Sequence, residues 1–131
     1  MPILATQAIT TVLTNSLSTP VEGLGRLGGV SLIATFTYTS GGTTAKAYVQ
    51  TSLDSGVTWQ DIACFAFATA GATKRGHISR QQTLAIAAPT TGTMADDSMA
   101  QGYLGDRLRV AFTSTGTYGA GTALSISYQP A

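Results

Sequence analysis

Charged side chains are scarce in this chain. They make up 10% of its 131 residues, whereas an average globular protein has roughly 25%. The net charge of +1 gives no support for nucleic-acid binding, where a clustered basic face is expected. A surface with so few charges is poorly protected against association. We therefore expect copies of the chain, or a larger assembly, to cover much of it. The alternative is a neutral, Thr/Ser-rich β domain that is soluble on its own.

Cysteine and histidine each occur once. A single cysteine excludes an intrachain disulfide and a cysteine metal cluster. Cys64 lies in an alternating apolar run, where a small buried hydrophobic residue is expected rather than a reactive thiol. His77 has no companion at metal-ligand spacing and no nucleophile motif beside it. We therefore expect neither a cofactor nor enzymatic activity.

Long apolar runs are absent as well. No stretch approaches the roughly 18 apolar residues that span a bilayer, and no basic stretch followed by an apolar block opens the chain. The sequence predicts a protein that is made and used without membrane insertion. Its 131 residues suffice for one domain with its own core and are too few for two.

Alternating apolar and polar residues, separated by turn-forming clusters, are typical of β-strands. Such runs cover residues 9–13, 30–38, 45–51, 59–67, 83–87, 108–113 and 123–128. In the run 59–67, Trp59, Ala63, Phe65 and Phe67 are expected on one face, with Ile62, Cys64 and Ala66 on the other. Both faces are apolar, which favours a central strand or one covered by a partner. About seven or eight strands and no helix predict an all-β fold, an antiparallel β-sandwich of jelly-roll or immunoglobulin-like topology.

The segments before the strand at 30–38 carry less pattern. Residues 1–24 form an N-terminal segment, with two open destinations: the edge of the chain's own sheet, or an arm that reaches a neighbouring subunit. Residues 25–131 form the β-sandwich domain. The glycine-rich stretch 24–29 is followed by a strand instead of a helix, so we interpret it as a turn and not a phosphate-binding loop.

The turn between the strands at 45–51 and 59–67 has a distinctive pattern, Ser-x-Asp-x-Gly-x-Thr-Trp. It is formed by Ser52, Asp54, Gly56, Thr58 and Trp59. Asp54 is expected to accept hydrogen bonds from backbone N–H groups, and Gly56 to take a positive φ. Trp59 is large enough to anchor a core. The pattern resembles the Asp-box of β-propeller sialidases and other β proteins, a folding device that implies no glycosidase activity. A propeller would need several copies.

Two further segments are candidates for contacts with other molecules. Residues 73–82 carry three of the seven basic side chains, which suits a solvated strand, an acidic protein partner or, less well, nucleic acid. Residues 88–101 form a long irregular loop, and such loops are often contact loops. Its adjacent carboxylates could bind a divalent cation, but an exposed loop is favoured. The candidate interface residues are Lys74, Arg75, Arg80, Met94, Asp96, Asp97 and Met99.

Two stretches, AYVQTSLDSGVTWQDIA at 47–63 and LGDRLRV at 104–110 with the following STGTY at 114–118, resemble small virion proteins of tailed bacteriophages and prophages. The resemblance covers roughly the C-terminal two-thirds of the chain. It implies a non-enzymatic capsid decoration (cement) protein that binds the major capsid protein on the virion surface, after synthesis in the host bacterial cytoplasm. A neck or tail component is the alternative, and a carbohydrate-binding β-sandwich with exposed tyrosines is a third. We expect a homo-oligomer, a trimer because capsid lattices present threefold positions.

Overall fold

The computed structural model describes residues 1–25, 27–79, 85–100 and 104–130. These residues form nine strands and no helix. The strands are β1 (Ile3–Ala8), β2 (Ser16–Leu17), β3 (Gly29–Thr37), β4 (Thr44–Ser52), β5 (Gln60–Phe67), β6 (Ala72–Ser79), β7 (Ser98–Met99), β8 (Arg107–Thr115) and β9 (Ala123–Pro130). The all-β prediction is confirmed.

Two antiparallel sheets form a sandwich. Sheet A has the order β1-β9-β3-β6, and sheet B has the order β2-β8-β4-β5-β7. The alternation predicted for the strands at 30–38, 45–51, 108–113 and 123–128 places their apolar residues between the two sheets. The core contains the following fully buried large side chains: Val30, Leu32, Val49, Leu108, Val110, Phe112, Leu124 and Ile126.

The N-terminal segment lies along one lateral side of this sandwich. β1 pairs with β9 at the edge of sheet A, and β2 pairs with β8 at the edge of sheet B. The strand predicted at residues 9–13 is wrong. Ile9 turns into the core and is fully buried, and residues 10–15 cross from one sheet to the other. The N-terminal segment thus contributes an edge strand to each sheet.

The predicted faces of β5 need one correction. Val49 of β4 lies opposite Ala63, whereas Gln50 lies opposite Asp61, so Ile62 is the extra residue of a β-bulge. Because of this bulge, Ile62 joins Ala63 in the main core instead of facing outward. The strand predicted at 83–87 is wrong for residues 85–87, which form no strand. Residues 83 and 84 lie outside the described ranges.

The other lateral side is formed by β6 and by residues 90–100. β6 is the second edge of sheet A, pairing with β3 over its whole length. Residues 90–100, here called the strap, run against β5 and contain the short strand β7, which pairs with Ala63 and Cys64. None of the described residues form a helix long and apolar enough to cross a membrane.

Candidate functional site

The Asp-box turn has the geometry that its sequence predicts. Asp54 Oδ1 accepts hydrogen bonds from the Thr58 backbone N–H at 2.8 Å and from Ser52 Oγ at 2.9 Å, and Thr58 Oγ1 donates to Asp54 Oδ2 at 2.6 Å. These bonds favour the carboxylate and lower the pKa of Asp54 to about 2. Gly56 has a φ of +90°. These hydrogen bonds all join groups within the turn, which is expected of a folding device.

Trp59 does not anchor the core. It is only partly buried, because its ring lies on the outer side of sheet B, where the Arg109 guanidinium stacks 4.2 Å from the ring centroid. Its indole N–H donates to the Gly56 carbonyl at 3.1 Å. Trp59 therefore ties the turn to β8 through a cation–π contact, and the prediction that it fills the core is wrong.

A buried polar network attaches the strap to sheet B. Asp61, 2% exposed, accepts hydrogen bonds from Gln50 Nε2 at 2.9 Å and from the backbone N–H groups of Thr93 and Met94 at 3.1 and 3.3 Å. Arg109 Nε donates to Gln50 Oε1 at 2.7 Å. Asp61 thus fixes the strap to β5, although no sequence pattern indicates a partner for this carboxylate.

The strap covers an apolar cluster on the outer face of sheet B. Tyr48, Cys64 and Ala111 form this cluster, and Met94 of the strap packs on it. Burial raises the pKa of the Cys64 thiol to about 11, so the residue is a buried hydrophobic group, as predicted. The outer cover of β5 comes from the chain itself. Its apolar outer face is therefore no argument for a partner.

Both carboxylates of the predicted contact loop form ion pairs within the chain. Asp96 lies 2.7 Å from Lys46 Nζ, and Asp97 lies 2.8 Å from Lys74 Nζ. Burial raises the pKa of Asp97, but hydrogen bonds from Lys74 and from the Ala66 backbone N–H outweigh it and hold that pKa below its usual value. The sequence left open an acidic protein partner for the basic segment. For Lys74, the acidic partner is Asp97 of the strap, within the same chain.

Lys74 and Met99 close the gap between the edges of the two sheets. Lys74 pairs with the buried Ala34 of β3, so its side chain points inward. The Lys74 Nζ also donates to the Ala66 carbonyl at 2.5 Å and lies 4.8 Å from the centroid of the Phe67 ring. Met99 packs where a side chain at Gly76 would otherwise stand. Of the seven candidate interface residues, Lys74, Met94, Asp96, Asp97 and Met99 therefore have internal contacts.

Arg75 and His77 of the basic segment lie apart from this closure. Arg75 is exposed on the outer face of sheet A, and Arg80 lies outside the described residues. His77 shares a 2.9 Å hydrogen bond with Ser31 Oγ across the β3–β6 pair, a contact between residues 46 positions apart that the sequence did not suggest. No group of three or more potential metal ligands occurs among the described residues.

The tyrosines offer little platform for a sugar. Tyr48, Tyr118 and Tyr128 are buried, at 7%, 3% and 8% exposure. Tyr38 is partly buried and meets the Tyr118 ring edge-on at a centroid distance of 6.1 Å. Tyr103 lies outside the described residues. The described tyrosines thus belong mainly to the core.

The N-terminal side carries none of the seven candidate interface residues, although the sequence leaves open an arm from residues 1–24 to a neighbouring subunit. Residues 1–21 contain no charged side chain. They carry four of the seven exposed large hydrophobic residues found in the described part of the chain: Met1, Ile3, Val12 and Leu17. The pairing of β1 and β2 places Ile3 and Leu17 on one lateral side, whereas Met1 lies over the outer face of sheet A beside Ile33 and Arg75. The charge-free composition of residues 1–21 is the signal that could have indicated this surface.

Comparison with known proteins identifies no relative. No family model, no curated protein and no solved structure matches the chain.

Proposed function

We propose that the chain is a non-enzymatic structural protein of a bacteriophage virion, a decoration protein that self-associates and binds the major capsid protein. The observation that carries the proposal is the N-terminal side, a neutral surface with exposed apolar residues that includes an edge of both sheets. The low content of charge supports the same function, as does the resemblance of residues 47–63, 104–110 and 114–118 to small virion proteins.

The mechanism is the burial of apolar surface between neighbouring subunits. Removing apolar surface from water contributes about 25 cal/mol per Å², and specific interfaces bury roughly 1,600 Å² in total. Repeated over a shell, such contacts hold adjacent capsid subunits together against internal pressure. No reacting group is required. The buried Cys64 and the self-contained Asp-box turn both suit a structural role.

Mixing the purified protein with capsids that lack it tests the proposal. A decoration protein is expected to sediment with the capsids in hundreds of copies per shell and to raise the temperature at which the shell falls apart. A few copies per particle would instead indicate a neck or tail component. No binding to capsids would refute the decoration function.

A pair of leucines provides a matched control for this experiment. Leu17 on the N-terminal side and Leu53 on the Asp-box turn are 54% and 62% exposed, so an aspartate at either place should leave the fold intact. We expect Leu17→Asp to reduce capsid binding and Leu53→Asp to leave it unchanged. Equal effects of the two substitutions would show that the N-terminal side is not the contact surface.

A further inference from the structure

The two edges of sheet A differ in how they are protected. β6, at one edge, carries Lys74, Arg75 and His77, and its inward-pointing Lys74 is paired with Asp97 of the strap. Charged side chains, especially inward-pointing ones, are the usual means by which proteins prevent an edge strand from pairing with another chain. β1, at the other edge, has the sequence ILATQA and no charge.

The backbone of β1 retains hydrogen-bonding groups that point away from the sheet. The Ile9 N–H donates to the Thr122 carbonyl at 2.9 Å. Successive residues of an antiparallel strand direct their backbone groups to opposite sides. The N–H and C=O groups of Thr6 and Ala8, which lie opposite Ser125 and Ala123, therefore point outward at the free edge. The Ala8 carbonyl there accepts from the exposed Gln7 side chain at 3.0 Å, a bond that a pairing strand would replace.

An apolar side chain accompanies these backbone groups. Ile3 of β1 is 63% exposed, so burying it would add to the strength of any strand that pairs here. The opposite lateral side offers no such combination in its described part, because Met99, Lys74 and Asp97 close it. In the described part of the chain, the β6 edge of sheet A is closed by the strap, whereas the β1 edge has no neighbouring strand.

We propose that β1 pairs antiparallel with β1 of a second copy of this chain, which joins two four-stranded sheets into one continuous sheet of eight strands. A second copy is the occupant that the charge pattern favours, since β1 brings no like charges together when it meets itself; a basic or acidic partner strand would find no complementary group on it. The same strand on both subunits makes the contact two-fold. The expected particle is a dimer, and not the trimer anticipated from the sequence.

The β1 pairing rests on the proposed function only for its biological purpose, which is to supply the self-association of a decoration protein. The test is the mass of the purified protein by light scattering over a concentration series, with two matched variants. Thr6→Lys places a charge on the exposed face of β1, and Thr73→Lys places the same charge on the already basic β6. We expect a wild-type dimer whose dissociation constant rises at least about tenfold in Thr6→Lys, because both subunits carry the charge at the contact. Thr73→Lys should leave the dissociation constant unchanged.

Amide hydrogen exchange on the wild-type protein gives an answer that needs no variant. The amides of Thr6 and Ala8 should exchange slowly at concentrations where the dimer forms and quickly on dilution. A monomer, a trimer, equal effects of the two lysine variants, or fast exchange at these amides at every concentration would overturn β1 pairing. Capsid binding by a monomer would overturn the pairing and leave capsid decoration standing, whereas a dimer that does not bind capsids would overturn the decoration function and leave the pairing standing.

Discussion

Replacing Asp61 by alanine tests whether one buried carboxylate holds the strap on sheet B. Asp61 accepts from the Gln50 side chain and from two strap N–H groups, those of Thr93 and Met94. Asp61→Ala removes the acceptor for all three donors at once. The strands of sheet B keep their own ladder bonds, so the loss should fall on the strap first.

The size of the effect follows from the three lost hydrogen bonds. A buried donor left without an acceptor costs about 1–3 kcal/mol. Gln50 is 1% exposed and bears this cost in full, while the two strap N–H groups can regain water if the strap lifts. We therefore expect Asp61→Ala to lower the free energy of unfolding by about 3 kcal/mol. A whole domain has roughly 5–15 kcal/mol, so the variant should still fold.

The reactivity of Cys64 reports on the strap separately from global stability. Burial raises its pKa from 9.0 to about 11, and only the thiolate reacts with labelling reagents. When the strap lifts, the pKa should return toward 9.0. The thiolate fraction at neutral pH then rises by up to about a hundredfold. Labelling of the native Asp61→Ala variant should be faster than wild type by up to this factor, with improved access adding to it.

Asp96→Ala is the control for this experiment. It removes a strap carboxylate whose side chain is 57% exposed and pairs with Lys46, and exposed pairs contribute about 0–1 kcal/mol. Burial is the main cause of the raised pKa of Cys64 and the charge of Asp96 is a smaller one, so labelling should quicken in Asp96→Ala but by much less than in Asp61→Ala. If Asp61→Ala lowers the urea midpoint while Cys64 labels as slowly as in the wild type, Asp61 stabilises the sheet and not the strap, and the reasoning is refuted.

Two further substitutions test the turns. Asp54→Ala should lower the urea midpoint at neutral pH. The difference in midpoint from the wild type should shrink as pH falls from 3.8 to about 2, because the lowered pKa of Asp54 contributes stability that protonation removes. A difference that stays constant over this range would contradict the hydrogen-bond assignment. Gly105→Ala should cost about 3 kcal/mol, since its Cβ would overlap the Ser52 backbone carbonyl, which cannot swing aside. The control, Gly23→Ala, meets no atom and should cost only about 1 kcal/mol for its positive φ; equal losses in urea unfolding would contradict the overlap.

The strands of the core were predictable because burial on one face imposes a period of two. Residues 30–38 and 123–128 have this pattern, and β3 and β9 lie there. β1 was missed because ILATQA alternates poorly and residues 9–13 are richer in β-branched side chains. Pairing with β9 decided the outcome, and no local pattern contains that information.

The candidate site could be predicted less well than the fold. The sequence singled out Asp96, Asp97 and Lys74. However, Lys74 and Asp97 are 23 positions apart, and their pairing depends on how the strap, which lies on sheet B, reaches the edge of sheet A. The Asp-box turn is the opposite case. All of its hydrogen bonds join residues within four positions of one another, so the sequence specified it almost completely.

The place of β9 between β1 and β3 constrains the order in which the molecule can form during synthesis. β4 and β5 with their Asp-box turn can form a hairpin as soon as residue 67 has left the ribosome. β1 and β3, by contrast, have to wait for β9, which ends at Pro130, before they can complete sheet A. The neutral first strand is therefore the earliest to be made and among the last to be paired. During that interval it presents an uncharged, partly apolar segment to other nascent chains, and such segments favour aggregation.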